Sequence, residues 1–235
     1  MNKIISFKIL TLASLICALC LTAYSQNVDK TAVGKGEKIV RESSVSPAEA
    51  ATNALNVGAQ MPAFELKDAF GKTVSSDDLL EQGNLVIVFY RGSWCPFCNL
   101  YLRNLQKNLT KIKAVGGNLA AISVENPDNS LNLAKKDELD FTVLSDPNLN
   151  VARKFGIVYD FPKELNDNYK ANGLDIAKHN EMEKPELPLS ATYIVNRKGK
   201  IVYAFLEPDY KKRAAPETII ETLSKIKSPA VEMVK

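Results

Sequence analysis

The sequence predicts an α/β domain in which a mixed β-sheet carries helices on both faces. Residues 85–90 (LVIVFY) and 119–124 are strand-length stretches dominated by apolar residues, the pattern of strands covered on both sides. The segment between them opens at Pro96, closes at Gly116-Gly117 and places Leu102, Leu105, Leu109 and Ile112 at helical spacing. The first strand therefore runs straight into a long amphipathic helix through residues 91–95.

The other elements follow in chain order. Phe64-Glu65-Leu66 and the turn at 68–72, where Gly71 frees the backbone, form a small hairpin. Asn126-Pro127-Asp128 breaks the chain before a helix over 131–139. Residues 141–144 make a short strand, and 149–155 a short helix closed by Gly156. Residues 160–188 are polar and irregular, an insertion expected to be functional or mobile rather than core. Residues 192–196 and 201–206 pair across Arg197-Lys198-Gly199-Lys200, and Pro216 opens a last helix that turns Ile219, Ile220, Leu223 and Ile226 inward. A β-α-β-α run followed by a hairpin and a helix is the order of a thioredoxin-like fold.

The 235 residues, 46% hydrophobic and 24% charged, exclude a collagen, a coiled coil and a wholly disordered chain. A net charge of +3 gives no grip on nucleic acid. Residues 1–25 read as a secretory signal: Lys3 and Lys8 are the basic start, 9–21 the apolar run, and Ala23-Tyr24-Ser25 the cleavage site before Gln26. That run is short for a membrane span, so the expectation is an exported, periplasmic protein with no membrane association after cleavage; a retained signal anchor is the alternative. Residues 26–56 have no aromatic residue and read as a mobile linker, although Ser46-Pro47-Ala48-Glu49 can cap a short helix. The folded domain is placed at 57–235.

Signal cleavage discards Cys17 and Cys20 and leaves Cys95 and Cys98 in Trp94-Cys95-Pro96-Phe97-Cys98. Two thiols at the start of a helix lie one turn apart, within reach of a disulfide, and free N–H groups with the helix dipole favour a thiolate there. A thiolate attacks a peroxide or a disulfide, and the second thiol resolves the adduct. The plain alternative is a structural staple, which so small a loop makes weak. The single histidine, His179, falls in the polar insertion and reads as a surface residue. Two cysteines and one distant histidine fall short of four zinc ligands, so neither metal nor other cofactor is expected. Trp94 and Phe97 can form an apolar platform beside an exposed thiol, and Arg91 can hold a thiolate or a peroxide oxygen by charge. Lys211-Lys212-Arg213 reads as a solvated approach to the last helix.

Residues 89–98 (FYRGSWCPFC), Asn126-Pro127-Asp128-Asn129-Ser130, Leu144-Ser145-Asp146-Pro147 and Ala191-Thr192-Tyr193-Ile194-Val195 resemble the peroxiredoxin-like branch of the alkyl hydroperoxide reductase and thiol-specific antioxidant family. The resemblance implies a thioredoxin-dependent thiol peroxidase acting on hydrogen peroxide or organic hydroperoxides, with a thioredoxin-like reductant. Matched without gaps, Cys98 takes the family's peroxidatic place, Cys95 replaces its Thr, Arg91 replaces a Pro, and Ser190 falls near its Arg or the thioredoxins' cis-Pro. The same residues are also similar to a thioredoxin-type dithiol in which Cys95 attacks, which implies a protein disulfide reductase. A non-enzymatic binding module on this fold is a third reading. For thiol–disulfide exchange the expectation is Cys95; for peroxide both sulfurs stay open. The peroxide, the donor and the oligomeric state have no signature in the sequence.

A bridge across so few residues constrains the unfolded chain little. Reducing it should leave the far-UV circular dichroism unchanged and shift the melting temperature only modestly; collapse on adding reductant would identify a structural staple.

Overall fold

The structure, a computed structural model, describes residues 44–226; the signal and most of the linker segment lie outside them. Nine strands are described: β1 (Glu65–Asp68), β2 (Thr73–Ser75), β3 (Asn84–Phe89), β4 (Gly117–Ser123), β5 (Thr142–Ser145), β6 (Val158–Asp160), β7 (Glu186–Pro188), β8 (Thr192–Val195) and β9 (Ile201–Phe205). All but β6 and β7 form one sheet of order β2-β1-β5-β4-β3-β8-β9. Strand β3 runs parallel to β4 and antiparallel to β8, so the sheet is mixed, as expected.

Every residue of β3 is buried, and its alternation supplies two cores. Leu85, Ile87 and Phe89 point to one face, where Phe155 and Tyr193 pack on Phe89 with ring centroids 5.1 and 6.3 Å away. Val86, Val88 and Tyr90 point to the other, against Leu102, Leu105 and Ile112 of helix α3 (Pro96–Ala114) and Ile219 and Leu223 of helix α8 (Pro216–Lys225). Burial of both faces is what an uninterrupted apolar strand demands.

Three expectations need correction. The folded body starts before Val57: Ser46 caps helix α1 (Pro47–Asn53) in a reciprocal capping box with Glu49, and Ala50 is buried in the first core. A sequence without aromatic residues can still dock by one small side chain and its backbone, here Leu55 N–H donating to Phe155 O at 2.9 Å. Helix α2 (Ser76–Glu81) was unforeseen; Ser75 and Asp78 cap it reciprocally and Leu79 is its buried anchor. The insertion at 160–188 is ordered rather than irregular. Strands β6 and β7 pair into a ribbon that brackets helices α6 (Lys163–Ala171) and α7 (Ile176–His179). Phe161, Ile176 and Leu187 enter the core, while Leu165 and Tyr169 pack against it at a spacing of four residues. The polar residues around them, including the buried Asn166, conceal that period. Helices α4 (Pro127–Lys136) and α5 (Asn150–Lys154) complete the set among the described residues.

Gly156 adopts φ +71°, and a Cβ there would meet Asn53 O at 2.7 Å. Gly156→Ala should cost about 2–4 kcal/mol through left-handed strain and overpacking. Chemical denaturation should read this loss, and hydrogen exchange should place it first at α1.

Candidate active site

After β3, Tyr90 N–H still donates to Ile122 O at 2.9 Å, so the chain leaves the sheet only at Arg91. Gly92 makes the turn at φ +147°, where a Cβ would collide with the Trp94 indole. Cys95 is the N-cap of α3 and Pro96 its first residue, with Cys98 and Asn99 N–H donating to Cys95 O at 3.0 and 3.1 Å. Both thiols are free. Both are also buried, Cys95 at 1% and Cys98 at 0% exposure, which corrects the expectation of an exposed nucleophile.

Each sulfur has its own guanidinium. Arg91 Nη1 lies 4.0 Å from Cys95 Sγ, and Arg213 Nη2 donates to Cys98 Sγ at 3.4 Å. A hydrogen bond from the Cys98 thiol, supported by the Arg91 charge, brings Cys95 down to about 6 against the opposing effect of burial. Burial pushes Cys98 well above the ordinary thiol value, and its bond to Cys95 adds to that. These opposite shifts favour the thiolate at Cys95 and the protonated thiol at Cys98.

Arg91 is 1% exposed, not a surface residue. Its guanidinium carbon sits 4.0 Å from the Tyr210 ring centroid, 4.9 Å from Trp94 and 5.4 Å from Phe161. The Tyr159 phenol is beside it, raised to about 12 mainly by burial and so protonated. Nε and Nη2 of Arg91 are buried and make no well-formed hydrogen bond among the described residues, and the Tyr159 phenol is a polar side chain that approaches the guanidinium. Trp94 is half-buried, edge-on to Tyr169 at 5.7 Å, and Phe97 is edge-on to Tyr210 at the same distance. Ser190 is buried, and its Oγ has no hydrogen-bond partner among the described residues, so it makes no hydrogen bond to either sulfur.

Two charged readings change. His179 is not a free surface residue: its Nε2 lies 2.8 Å from Oε1 of the fully buried Glu125, and that bond raises the imidazole above its ordinary value of 6.5. Glu125 also accepts from Ser93 N–H at 2.7 Å and Ser93 Oγ at 2.8 Å, which ties the insertion to the loop that carries the thiols. Arg213, read as solvated, reaches Cys98 because the loop after β9 folds back over α3. Glu125 had a faint signal, a carboxylate ending an apolar strand. Arg213 had none, since only the loop's path brings it near.

The thioredoxin-like α/β fold and two free cysteines on one helical turn fit the oxidoreductase class of thiol proteins. The AhpC/TSA family model matches residues 57–204, and the chain belongs to that family. It is 34% identical over 106 residues to peroxiredoxin Bcp of Escherichia coli K12, covering 45% of this chain and 67% of that protein. To chloroplastic peroxiredoxin Q of Populus jackii it is 33% identical over 107 residues, 45% of this chain and 49% of the relative. Among solved structures, the Mycobacterium tuberculosis peroxidoxin BcpB superposes with a TM-score of 0.59 at 19% identity, covering 74% of this chain and 99% of the other. Peroxiredoxin Q of Xanthomonas campestris gives 0.55 at 16%, covering 72% and 94%. These structural likenesses carry the fold.

The thiolate absorbance of the reduced protein should titrate with a midpoint near pH 6, the value of Cys95. Below it the sulfur is protonated, so the reaction rate should fall as pH drops through that point. Arg91→Leu should raise the midpoint by about one pH unit; an unchanged midpoint would remove Arg91 from the site's electrostatics.

Proposed function

We propose that this peroxiredoxin-family protein is an exported thiol peroxidase that reduces hydrogen peroxide or organic hydroperoxides through Cys95 and Cys98 and is recycled by a thioredoxin-like donor. The export rests on residues 1–25. The observation that carries the chemistry is the Cys95 thiolate beside the buried donors of Arg91. Cys95 thiolate attacks the terminal peroxide oxygen; the O–O bond breaks, the sulfur becomes a sulfenic acid, and the alkoxide or hydroxide takes a proton and leaves as alcohol or water. Nε and Nη2 of Arg91 suit the charge that grows on the departing oxygen. Cys98 then attacks the sulfenic sulfur, a disulfide forms, and water departs. A donor dithiol returns two electrons and two protons, leaving as its own disulfide.

The name of the Escherichia coli relative supports a peroxide substrate. A protein disulfide reductase is the second reading, favoured by Cys95 standing where the resemblance puts the family's Thr. Arg91's donors weigh toward peroxide, since a disulfide sulfur accepts hydrogen bonds weakly.

With hydrogen peroxide, Cys98→Ser should accumulate a trappable sulfenate at Cys95 at the wild-type first-step rate, and Cys95→Ser should react at least about 100-fold more slowly, the loss expected on removing a nucleophile. Sulfenate at Cys98 in Cys95→Ser at full rate would reverse the assignment. Insulin reduction without peroxide consumption would establish the second reading.

A further inference from the structure

We propose that the outer face of α3 beside the thiols docks an acidic-faced dithiol protein that reduces the Cys95–Cys98 disulfide. The proposal rests on the dithiol–disulfide cycle above and adds where the donor binds and what charge it bears. Phe97 and Leu100 are 42% and 61% exposed, two of the four large apolar side chains exposed among the described residues, and both lie on the first turns after Cys95. They wall a groove of about 350 Å³ whose rim carries Arg103, Lys107, Lys211 and Arg213 and no carboxylate. Arg103 is paired with Asp137 at 3.3 Å, whereas Lys107 and Lys211 have no ion pair among the described residues. Lys211 Nζ lies 5.8 Å from the Phe97 ring centroid, so its charge stands directly over the apolar surface.

The groove is continuous with the site. Its wall is the loop that also covers the sulfurs: Tyr210 lies over Arg91, and Arg213 donates to Cys98 Sγ. A partner seated on Phe97, Leu100 and Lys211 therefore presses on the cover that a donor sulfur must displace. A small ligand gains affinity by enclosure, but these side chains stand outward along a helix face, the arrangement of a small transient protein interface. An uncompensated cationic rim speeds the encounter with a negatively charged partner and disfavours a positive one. In the docked complex a donor thiolate attacks Cys95, forming a mixed disulfide, and Cys98 leaves as a thiolate that Arg213 stabilises until it takes a proton. The second donor thiol then attacks the mixed disulfide, freeing the Cys95 thiolate and carrying away the donor's disulfide.

The test follows reduction of the oxidised mature protein in stopped flow, using a reduced thioredoxin of net negative charge and, separately, dithiothreitol. Leu100→Ser and Lys107→Glu should each slow the thioredoxin reaction by about tenfold at low salt, as expected for losing an apolar anchor or reversing a rim charge. The dithiothreitol and peroxide steps should keep their wild-type rates. Added salt should slow the wild type more than Lys107→Glu. Unchanged thioredoxin rates, or equal slowing with dithiothreitol, overturn the proposal. So does slowing confined to the reaction with a fatty-acid hydroperoxide, which would give the groove to the substrate. A wild-type disulfide that dithiothreitol reduces but no thioredoxin does overturns the docking surface and leaves the peroxidase standing. If peroxide never forms the disulfide, the peroxidase reading fails, and the surface with it.

Discussion

A buried guanidinium sets the terms of this structure. Arg91 is 1% exposed and makes no ion pair with a carboxylate among the described residues, so its desolvation must be offset by what surrounds it. Three aromatic faces contribute about 0.5–2 kcal/mol each by cation–π attraction. They come from three parts of the chain: Trp94 from the active-site loop, Phe161 from the insertion and Tyr210 from the loop after β9. Further compensation comes from the Tyr159 phenol and from the Cys95 sulfur, 4.0 Å from Arg91 Nη1. The dependence is mutual, since the charge that makes the thiolate favourable is itself made tolerable by it.

The insertion reaches this site through two kinds of contact. Tyr169 stacks on Phe161 with ring planes 5° apart and meets Trp94 edge-on, an apolar closure over the arginine. His179 supplies the polar one, pairing with the Glu125 carboxylate whose other bonds hold Ser93. Glu125 is fully buried, and leaving it without these donors would cost far more than the bonds themselves contribute. Gly92 is needed in the same place, because any side chain there would occupy the space of Trp94 and press on Glu125.

The two cysteines share a helical turn yet differ in acidity because Cys98 is the more deeply buried and charge on Cys95 is favoured by the hydrogen bond between them. Cys95 accepts it at the helix start, where unpaired N–H groups add to the Arg91 charge; Cys98 donates it from inside the second core. Arg213 lies near Cys98 and lowers the cost of charging that sulfur. The difference between the two sulfurs is thus built from position along α3 and from which arginine each sulfur meets.

The sequence by itself determined the sheet's central strands, the long helix and the placement of Cys95 and Cys98 at their junction, because these depend on local period, on Pro96 and on the spacing of two residues. It also carried the family, through short segments that are each continuous in the chain. Tertiary structure decided the rest of the site. That Arg91 is buried, that His179 pairs with Glu125 and that Arg213 reaches Cys98 depend on contacts spanning 54 residues for the histidine and 115 for the arginine. Local sequence carries no trace of such pairings: a histidine in a polar segment and an arginine after two lysines are what a solvated surface also contains, and only the folding back of the insertion and the loop after β9 brings them to Glu125 and Cys98.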